Sequence, residues 1–439
     1  MALFVGAATR VINCEIGDDL MGQLHRRFCE RIRDDLEANF FYLATDEGER
    51  ILLVNLDLAG GLETAWVRAT TARLAAETGV PARSIILTST HTHDGPDTIS
   101  LLHDSPRNDA YLARLADWLA DGAREAVAGA RPARVGWARG EAHVGFNRRL
   151  CWQDGSHSMY GDSHRPDFAG LEGPDDPSHA ILYAVDEDGR LLALLHNNCC
   201  HATCLESASF ASADFPGEAR RLIREALGEP LPVLYLQGAS GDTSPWNMEA
   251  TTPHYSGEQR VREIGALLAA ETLRLLRATD PVASPILRHA YTDLPIAVRL
   301  PNAEQLRRAE EIAALGEEKA GRGEFVLAVC GTLRLQREFG ENPVDTLAVH
   351  ALRVGDLAIA TNPCELYCQF GLDIKRRSPA PVTMVAQLSD GFSGYCPTVY
   401  GVLGGGYSGD PTYWTRLEIA AGYRIVDASA RLLHRLWRE

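Results

Sequence analysis

Two histidines, two residues apart, stand where a short apolar run ends, in Thr88-Ser-Thr-His-Thr-His-Asp-Gly-Pro-Asp97. The run before them, Ser84-Ile-Ile-Leu-Thr88, is β-branched and reads as a buried strand, and Gly95-Pro96 turns the chain away. In an extended backbone, residues i and i+2 project to the same side, so His91 and His93 can enter one cleft. Imidazole serves both as metal ligand and as acid or base near neutral pH. A pair of solvated loop histidines has the same spelling, so this stretch alone leaves both readings open.

Residues of ligand type recur at the ends of other apolar segments. His201 closes His196-Asn-Asn-Cys-Cys-His201, Glu365 follows Pro363-Cys364, and Tyr395 and Tyr407 stand twelve apart in a glycine-rich stretch. Catalytic zinc takes a few nitrogen and oxygen ligands and keeps one position for water or substrate. Two histidines and a glutamate meet that demand. Each residue also has a plainer reading. His201 fits a satisfied core histidine, with His196 as its competitor. Glu365 fits a first-turn helix carboxylate facing the dipole, and the tyrosines fit pocket aromatics. Asp214 and Asp242 read first as a helix cap and a turn anchor. Their second reading is a carboxylate that supports a metal-bound histidine.

The elements that must carry these residues alternate between strand and helix. Residues 40–44 and 51–56 form a hairpin, 61–78 a helix closed by Gly79 and Pro81, and Asn108 or Asp109 caps a second helix. Residues 180–184 and 191–195 form another hairpin that runs into His196. Helices are expected over 216–227, 257–277 with Ser256 as cap, 302–320, 363–375, and from Thr415 to the end. Strands are expected over 232–237, 286–300, 346–353, 357–360 and 382–386. The polar stretch 146–179 lacks periodicity and reads as a functional loop, a lid or pocket wall. This is the grammar of an α/β fold, a mixed sheet with flanking helices and ligands at strand ends. With no repeat, low-complexity tract or linker, residues 1–439 read as a single domain.

Composition narrows the function classes. A net charge of −16 and a pI near 5.4 argue against a nucleic-acid or anionic-membrane surface. No window approaches 18 uninterrupted apolar residues, so no transmembrane helix is expected. The first ten residues lack the basic start of a signal peptide. The ten cysteines sit mostly inside apolar stretches, as buried free thiols do in a reducing compartment, which points to the cytoplasm. The amphipathic last helix can pack on its own core or on a second copy, so a homo-oligomer stays open.

Taken in order, Thr90-His-Thr-His-Asp-Gly-Pro96, Phe146-Asn-Arg148, Cys200-His-Ala-Thr203, Ser212-Ala-Asp-Phe-Pro-Gly217 and Gly241-Asp-Thr-Ser-Pro245 resemble the motifs of the neutral/alkaline ceramidase family. The likeness runs from Val5-Gly-Ala-Ala8 through Gly173-Pro-Asp-Asp-Pro177 to the Tyr407 loop, and the Tyr395–Tyr407 spacing matches. The resemblance implies that His91, His201, Glu365 and Tyr395 hold one zinc ion per chain. It implies that His93 stands beside the metal as a supporting or acid/base histidine. Arg148 and Tyr407 would bind or polarise the scissile carbonyl, and Ser244 would be the serine of the site. The expected activity is zinc-dependent amide hydrolysis of a small acyl substrate, by metal-activated water with Arg/Tyr stabilisation of the oxyanion. No Gly-x-Ser-x-Gly elbow marks an α/β-hydrolase serine.

The departures matter as well. The expectation is a bacterial-type relative of the catalytic domain alone, without the signal sequence and C-terminal immunoglobulin-like domain of secreted members. Cys364 precedes Glu365 where the family has glycine, and Arg149-Leu150 follow where it has serine and proline. Asp94 and Asp97 add acidic charge after His93, which suits a polar or cationic soluble substrate better than a neutral lipid. An ester or lactone on the same scaffold is the alternative substrate class. A third reading is a non-catalytic thiolate sensor using Cys199, Cys200, Cys204, Cys364 and Cys368, although no paired C-x2-C occurs.

Overall fold

The computed structural model describes residues 2–250, 256–283 and 285–438. Strands β1 (Leu3–Val11), β2 (Glu37–Thr45), β3 (Arg50–Leu56), β4 (Ile85–Ser89), β5 (Arg131–Glu141), β6 (Ser178–Asp186), β7 (Leu191–Asn198) and β8 (Val233–Gln237) form one large sheet. Its order is β8-β7-β6-β5-β1-β2-β3-β4, with Val282–Ala283 added against β5. The two outermost pairs, β7/β8 and β3/β4, are parallel, and every pair between them is antiparallel. A second sheet runs β9 (Leu287–Ala297), β10 (Val344–Val354), β11 (Leu357–Thr361), β12 (Val382–Ala386), and its last pair is again parallel.

Alternation along the strands stacks these sheets. Phe41, Leu43, Leu53, Leu182 and Leu195 face Leu352, Ile359 and Met384 of the second sheet. Their neighbours Phe40, Tyr42 and Val54 face helices α1 (Thr64–Thr78) and α2 (Asp109–Ala128). Helices α3 (Asp214–Leu227) and α4 (Gly257–Arg277) cover the rest of that face. On the far side, α5 (Ala303–Leu315) precedes α6 (Cys368–Arg377) and α7 (Ala421–Arg438), and the last two pack on the second sheet. The order is helix, sheet, sheet, helix. Both faces of the large sheet are therefore buried, which is why its strands read as unbroken apolar runs.

Most expected boundaries hold. The Asn108 side chain accepts from Tyr111 N, Ser256 from Gln259 N, and Gly79 closes α1 at φ 74°. Three expectations are corrected. The last helix, expected from Thr415, begins at Ala421, because Thr415 is taken into bridges with Gly394 and Thr412. The helix expected over 302–320 stops at Leu315, because Gly316 at φ 79° leaves the helical region. The helix expected over 363–375 begins only at Cys368, since Tyr367 is extended. Cys364–Leu366 before it is a short strand, paired in parallel with Gly394–Cys396. The 146–179 stretch builds a small three-stranded sheet from Arg149–Trp152, His157–Met159 and Phe168–Leu171. Among the described residues, no helix is long and apolar enough to cross a membrane.

Candidate metal centre and active site

The three parallel strand pairs of the two large sheets discharge toward one place. The segment after β4 carries His91 and His93, the segment after β7 carries His201, and those after β11 and β12 carry Glu365 and Tyr395. Nε2 of His91 lies 2.8 Å from Nε2 of His201 and 3.4 Å from Nε2 of His93. Glu365 and Tyr395 are register partners on their short parallel strands, so one peptide alignment presents both to the histidines. Oε2 of Glu365 is 3.4 Å from His91 Nε2 and 3.9 Å from His201 Nε2.

Each imidazole is oriented from behind by a backbone carbonyl. Nδ1 of His91 bonds Ala59 O, Nδ1 of His93 bonds Gly22 O at 2.9 Å, and Nδ1 of His201 bonds Ser240 O at 3.0 Å. A carbonyl only accepts, so these bonds favour the proton on Nδ1 and turn the Nε2 lone pairs inward, although at His201 the Arg148 guanidinium also lies 3.2 Å from Nδ1. Burial first, then the charges of Arg148 and the neighbouring imidazoles, hold His93 and His201 well below the usual imidazole range. Gly22 makes the approach to His93 possible: at φ 119° it carries no Cβ, and one would sit 2.6 Å from the ring. Arg27 braces the same turn, donating to His93 O and pairing with Asp94 at 3.0 Å.

Three imidazole Nε2 lone pairs that meet at such distances repel unless a proton or cation lies among them. Oε2 of Glu365 is buried with no hydrogen-bond partner, a costly state for a carboxylate oxygen. A divalent ion answers both facts. Zinc bound at about 2.0–2.1 Å to nitrogen would separate tetrahedral ligand atoms by about 3.4 Å, close to the spacings here. The donor set fits such a metal. Among the described residues, His91, His93 and His201 are the one cluster of three candidate ligands.

Arg148 lies against this centre. Its guanidinium donates to Tyr160 Oη at 2.7 Å and Gly241 O at 3.0 Å, and reaches Tyr395 Oη at 3.4 Å. Burial alone would lower its pKa, but Tyr160, Tyr395 and Glu365 raise it, so it remains a cation. Tyr407 stacks edgewise on Tyr395 at 5.7 Å, and burial raises the pKa of both phenols. A cavity of about 490 Å3 brings His91, His93, Glu365, Tyr395, Tyr407 and Arg148 to one surface. Ser244 is buried behind that wall. Its hydroxyl hydrogen-bonds Tyr160 and accepts from Trp246 N, so it meets the site through Tyr160.

Tyr160, Gln23 and Glu206 also line the cavity, and the sequence reading missed all three. They lie in aperiodic segments; the one local sign is the 146–179 stretch, whose lack of pattern marked a pocket wall. Asp94 corrects the expectation of acidic charge after His93: it is fully buried and neutralised by Arg27. Asp97 does line the cavity. Asp214 binds Leu205 N and Phe215 N, and Asp242 binds Cys368 N and Asn147 Nδ2. Asp242 anchors a turn, as the plainer reading holds. Asp214 is not the expected cap, since Ala213 is the N-cap and no side chain caps α3; Asp214 instead ties the Leu205 loop to the helix start. All ten cysteines are free and buried. Burial raises Cys200, Cys204 and Cys364 well above the usual thiol range, which removes the thiolates a sensor needs.

Burial, with Asp19 adding to it, outweighs the Ser105 hydroxyl and pushes the Asp97 carboxyl up to about 7. The folded state thus holds this proton more tightly than the unfolded chain. That stabilisation is complete below the ordinary value of about 4 and disappears as pH rises through about 7. Asp97→Asn stays neutral, so its melting temperature should exceed the wild type's at about pH 8.5, exceed it by less at about pH 5, and match it only below about pH 4. An equal difference at all three pH values would contradict the assignment.

No protein-family model matches the chain, and no curated relative does. Solved structures do. The chain superposes on neutral ceramidase from Pseudomonas aeruginosa with a TM-score of 0.76 at 20% identity, over 99% of this chain and 75% of that one. A ceramidase complexed with C2 gives 0.75 at 20% identity, over 99% and 76%. The chain therefore has the fold of the bacterial neutral ceramidases.

Proposed function

We propose that this chain is a zinc-dependent hydrolase that cleaves the amide bond of an N-acyl compound, with one zinc per chain. The observation that carries this is the convergence of three Nε2 lone pairs and an unpartnered Glu365 oxygen beside Arg148. The ceramidase fold at 20% identity agrees with it. His91, His201, Glu365 and Tyr395 would hold the ion, with His93 at its side. Bound zinc supplies a Lewis acid and a water acidified to roughly pKa 7.

The remaining groups do ordinary work. Arg148 and the Tyr407 hydroxyl donate to the oxygen of the scissile carbonyl as it gains charge. Tyr160 holds Arg148 in register, and Ser244 anchors Tyr160 from behind. His93, with Nδ1 committed to Gly22 O, would accept at Nε2 the proton the attacking water gives up as its oxygen bonds the carbonyl carbon, and return it to the amine nitrogen as the C–N bond breaks. Residues 1–439 act as one catalytic domain, because the apolar layer between the sheets draws on strands from both halves of the chain. The buried free thiols suit the cytoplasm.

Elemental analysis of protein purified without added metal tests the proposal directly. About one zinc per chain is expected. Removal by a chelator should abolish hydrolysis of N-acyl amides, and zinc should restore it. A parallel screen of matched esters and lactones decides the bond type. Protein that takes up no metal when zinc is offered sinks the proposal.

A further inference from the structure

Glu206 is an acidic residue of the cavity wall that is not a candidate metal ligand. Among the described residues it has no Lys or Arg within ion-pair distance, although the charges of Arg148 and Arg27 reach it. Its side chain is 31% exposed, and the cavity lining includes it beside His93, Tyr160 and Arg148. Other carboxylates near the site are committed: Asp94 to Arg27, Glu172 to Arg149, Asp97 to the Ser105 hydroxyl. The neighbours of Glu206 are the Gln23 side chain and Nδ1 of His93 at 3.8 Å, a nitrogen already bonded to Gly22 O.

Position narrows what it can bind. Oε2 of Glu206 flanks Nδ1 of His93, whose Nε2 faces His91 at 3.4 Å. The carboxylate thus lies about one imidazole ring beyond the point where the candidate ligands converge. A group resting on it is joined to a carbonyl at that point by a short arm of a few bonds. Much of the remaining lining is apolar, including Leu20, Met21, Leu101, Leu102, Phe392 and Trp414. That wall suits an acyl chain, which leaves the polar Gln23–Glu206–Tyr160 wall to the amine side of the substrate.

We infer that Glu206 determines specificity, selecting N-acyl compounds whose amine portion carries a cationic group a few bonds from the scissile amide. The inference rests on the proposed amide hydrolysis and names its substrate class. A carboxylate that must leave water is stabilised by a ligand cation as by any charge-assisted hydrogen bond. The competing role is to balance the charge of Arg148. That role predicts no preference between charged and neutral ligands.

Calorimetric binding of propylguanidinium and its neutral isostere propylurea to the zinc-loaded protein separates the two. Wild type should bind the guanidinium about five- to tenfold more tightly, a difference typical of one partly exposed charge pair. Glu206→Gln should bring the ratio to about one, while Glu206→Asp keeps part of it. Equal binding of both probes by wild type, or an undiminished preference in Glu206→Gln, overturns the inference. Turnover of an N-acyl diaminopropane against the matching N-acyl aminopropanol is the second arm. A preference in binding without turnover of either amide keeps the cation site and removes the amidase. Turnover of both at equal rates, with no binding preference, does the reverse.

Discussion

His201→Ala protein is expected to retain less than about a tenth of the wild-type zinc and to hydrolyse N-acyl amides at least about 10^3-fold more slowly. His201 is fully buried, and its ring is fixed from behind by Ser240 O, so no neighbouring side chain can swing in to replace Nε2. The energetic signature should distinguish a ligand from a core histidine. Without metal, His201 brings a third lone pair to a place where two already oppose each other, which offsets much of its packing contribution. With metal, the same ring contributes binding free energy that is also folding free energy. The melting temperatures of variant and wild type should therefore lie close together in chelator and far apart in excess zinc. A large gap in chelator that zinc does not widen would make His201 a structural residue.

The histidine pair shows how the sequence can be right for the wrong reason. The i, i+2 spacing places His91 and His93 in one cleft if the backbone is extended. His91 instead has φ 68°, a left-handed conformation that costs a non-glycine residue about 1–3 kcal/mol. The rings meet because Ala59 O, Gly22 O and Arg27 pin the turn, and those partners come from segments no local pattern connects to it. Glu365 is the opposite case. Residue type pointed to it, while local propensity put it in a helix that begins only at Cys368. Its strand exists because Gly394–Cys396 lies alongside, a pairing made by the β11/β12 crossover.

The strands follow more directly from the unbroken apolar runs, because burial on both faces leaves its mark in each; their division into two stacked sheets is set by pairings between distant segments. Tyr160 and Glu206 leave no such mark. Tyr160 has φ 67° just past the strand that ends at Met159, and Glu206 follows Leu205, whose N–H is held by Asp214. Such positions depend on long-range contacts, and single-residue types in aperiodic chain do not announce them.

Arg149→Met should cost about 3–5 kcal/mol and lower the melting temperature by about 3–5 °C, while leaving zinc content at the wild-type level. Arg149 stands where the ceramidase motif has serine, and its side chain is wholly buried. Its Nε bonds Glu172 at 2.8 Å, and its NH2 group bonds Gly405 O at 2.9 Å and Gly401 O at 3.2 Å. Glu172 also holds Nδ1 of His157 at 2.6 Å. The cluster fastens the small sheet to the loop that carries Tyr407, two residues past Gly405. Methionine fills the volume but strands the Glu172 charge, and desolvation makes that worse than losing the pair. Replacing Glu172 by Met as well should recover most of the loss, since no buried charge is left unpaired. Hydrolysis should fall in both variants, because the Tyr407 loop loses its donors at Gly401 and Gly405 whatever the stability. Arg149 touches none of the metal-binding candidates, so a drop in zinc would show that the two regions are coupled in a way these contacts do not explain. Full activity in the double variant would mean that Tyr407 holds its place without the arginine.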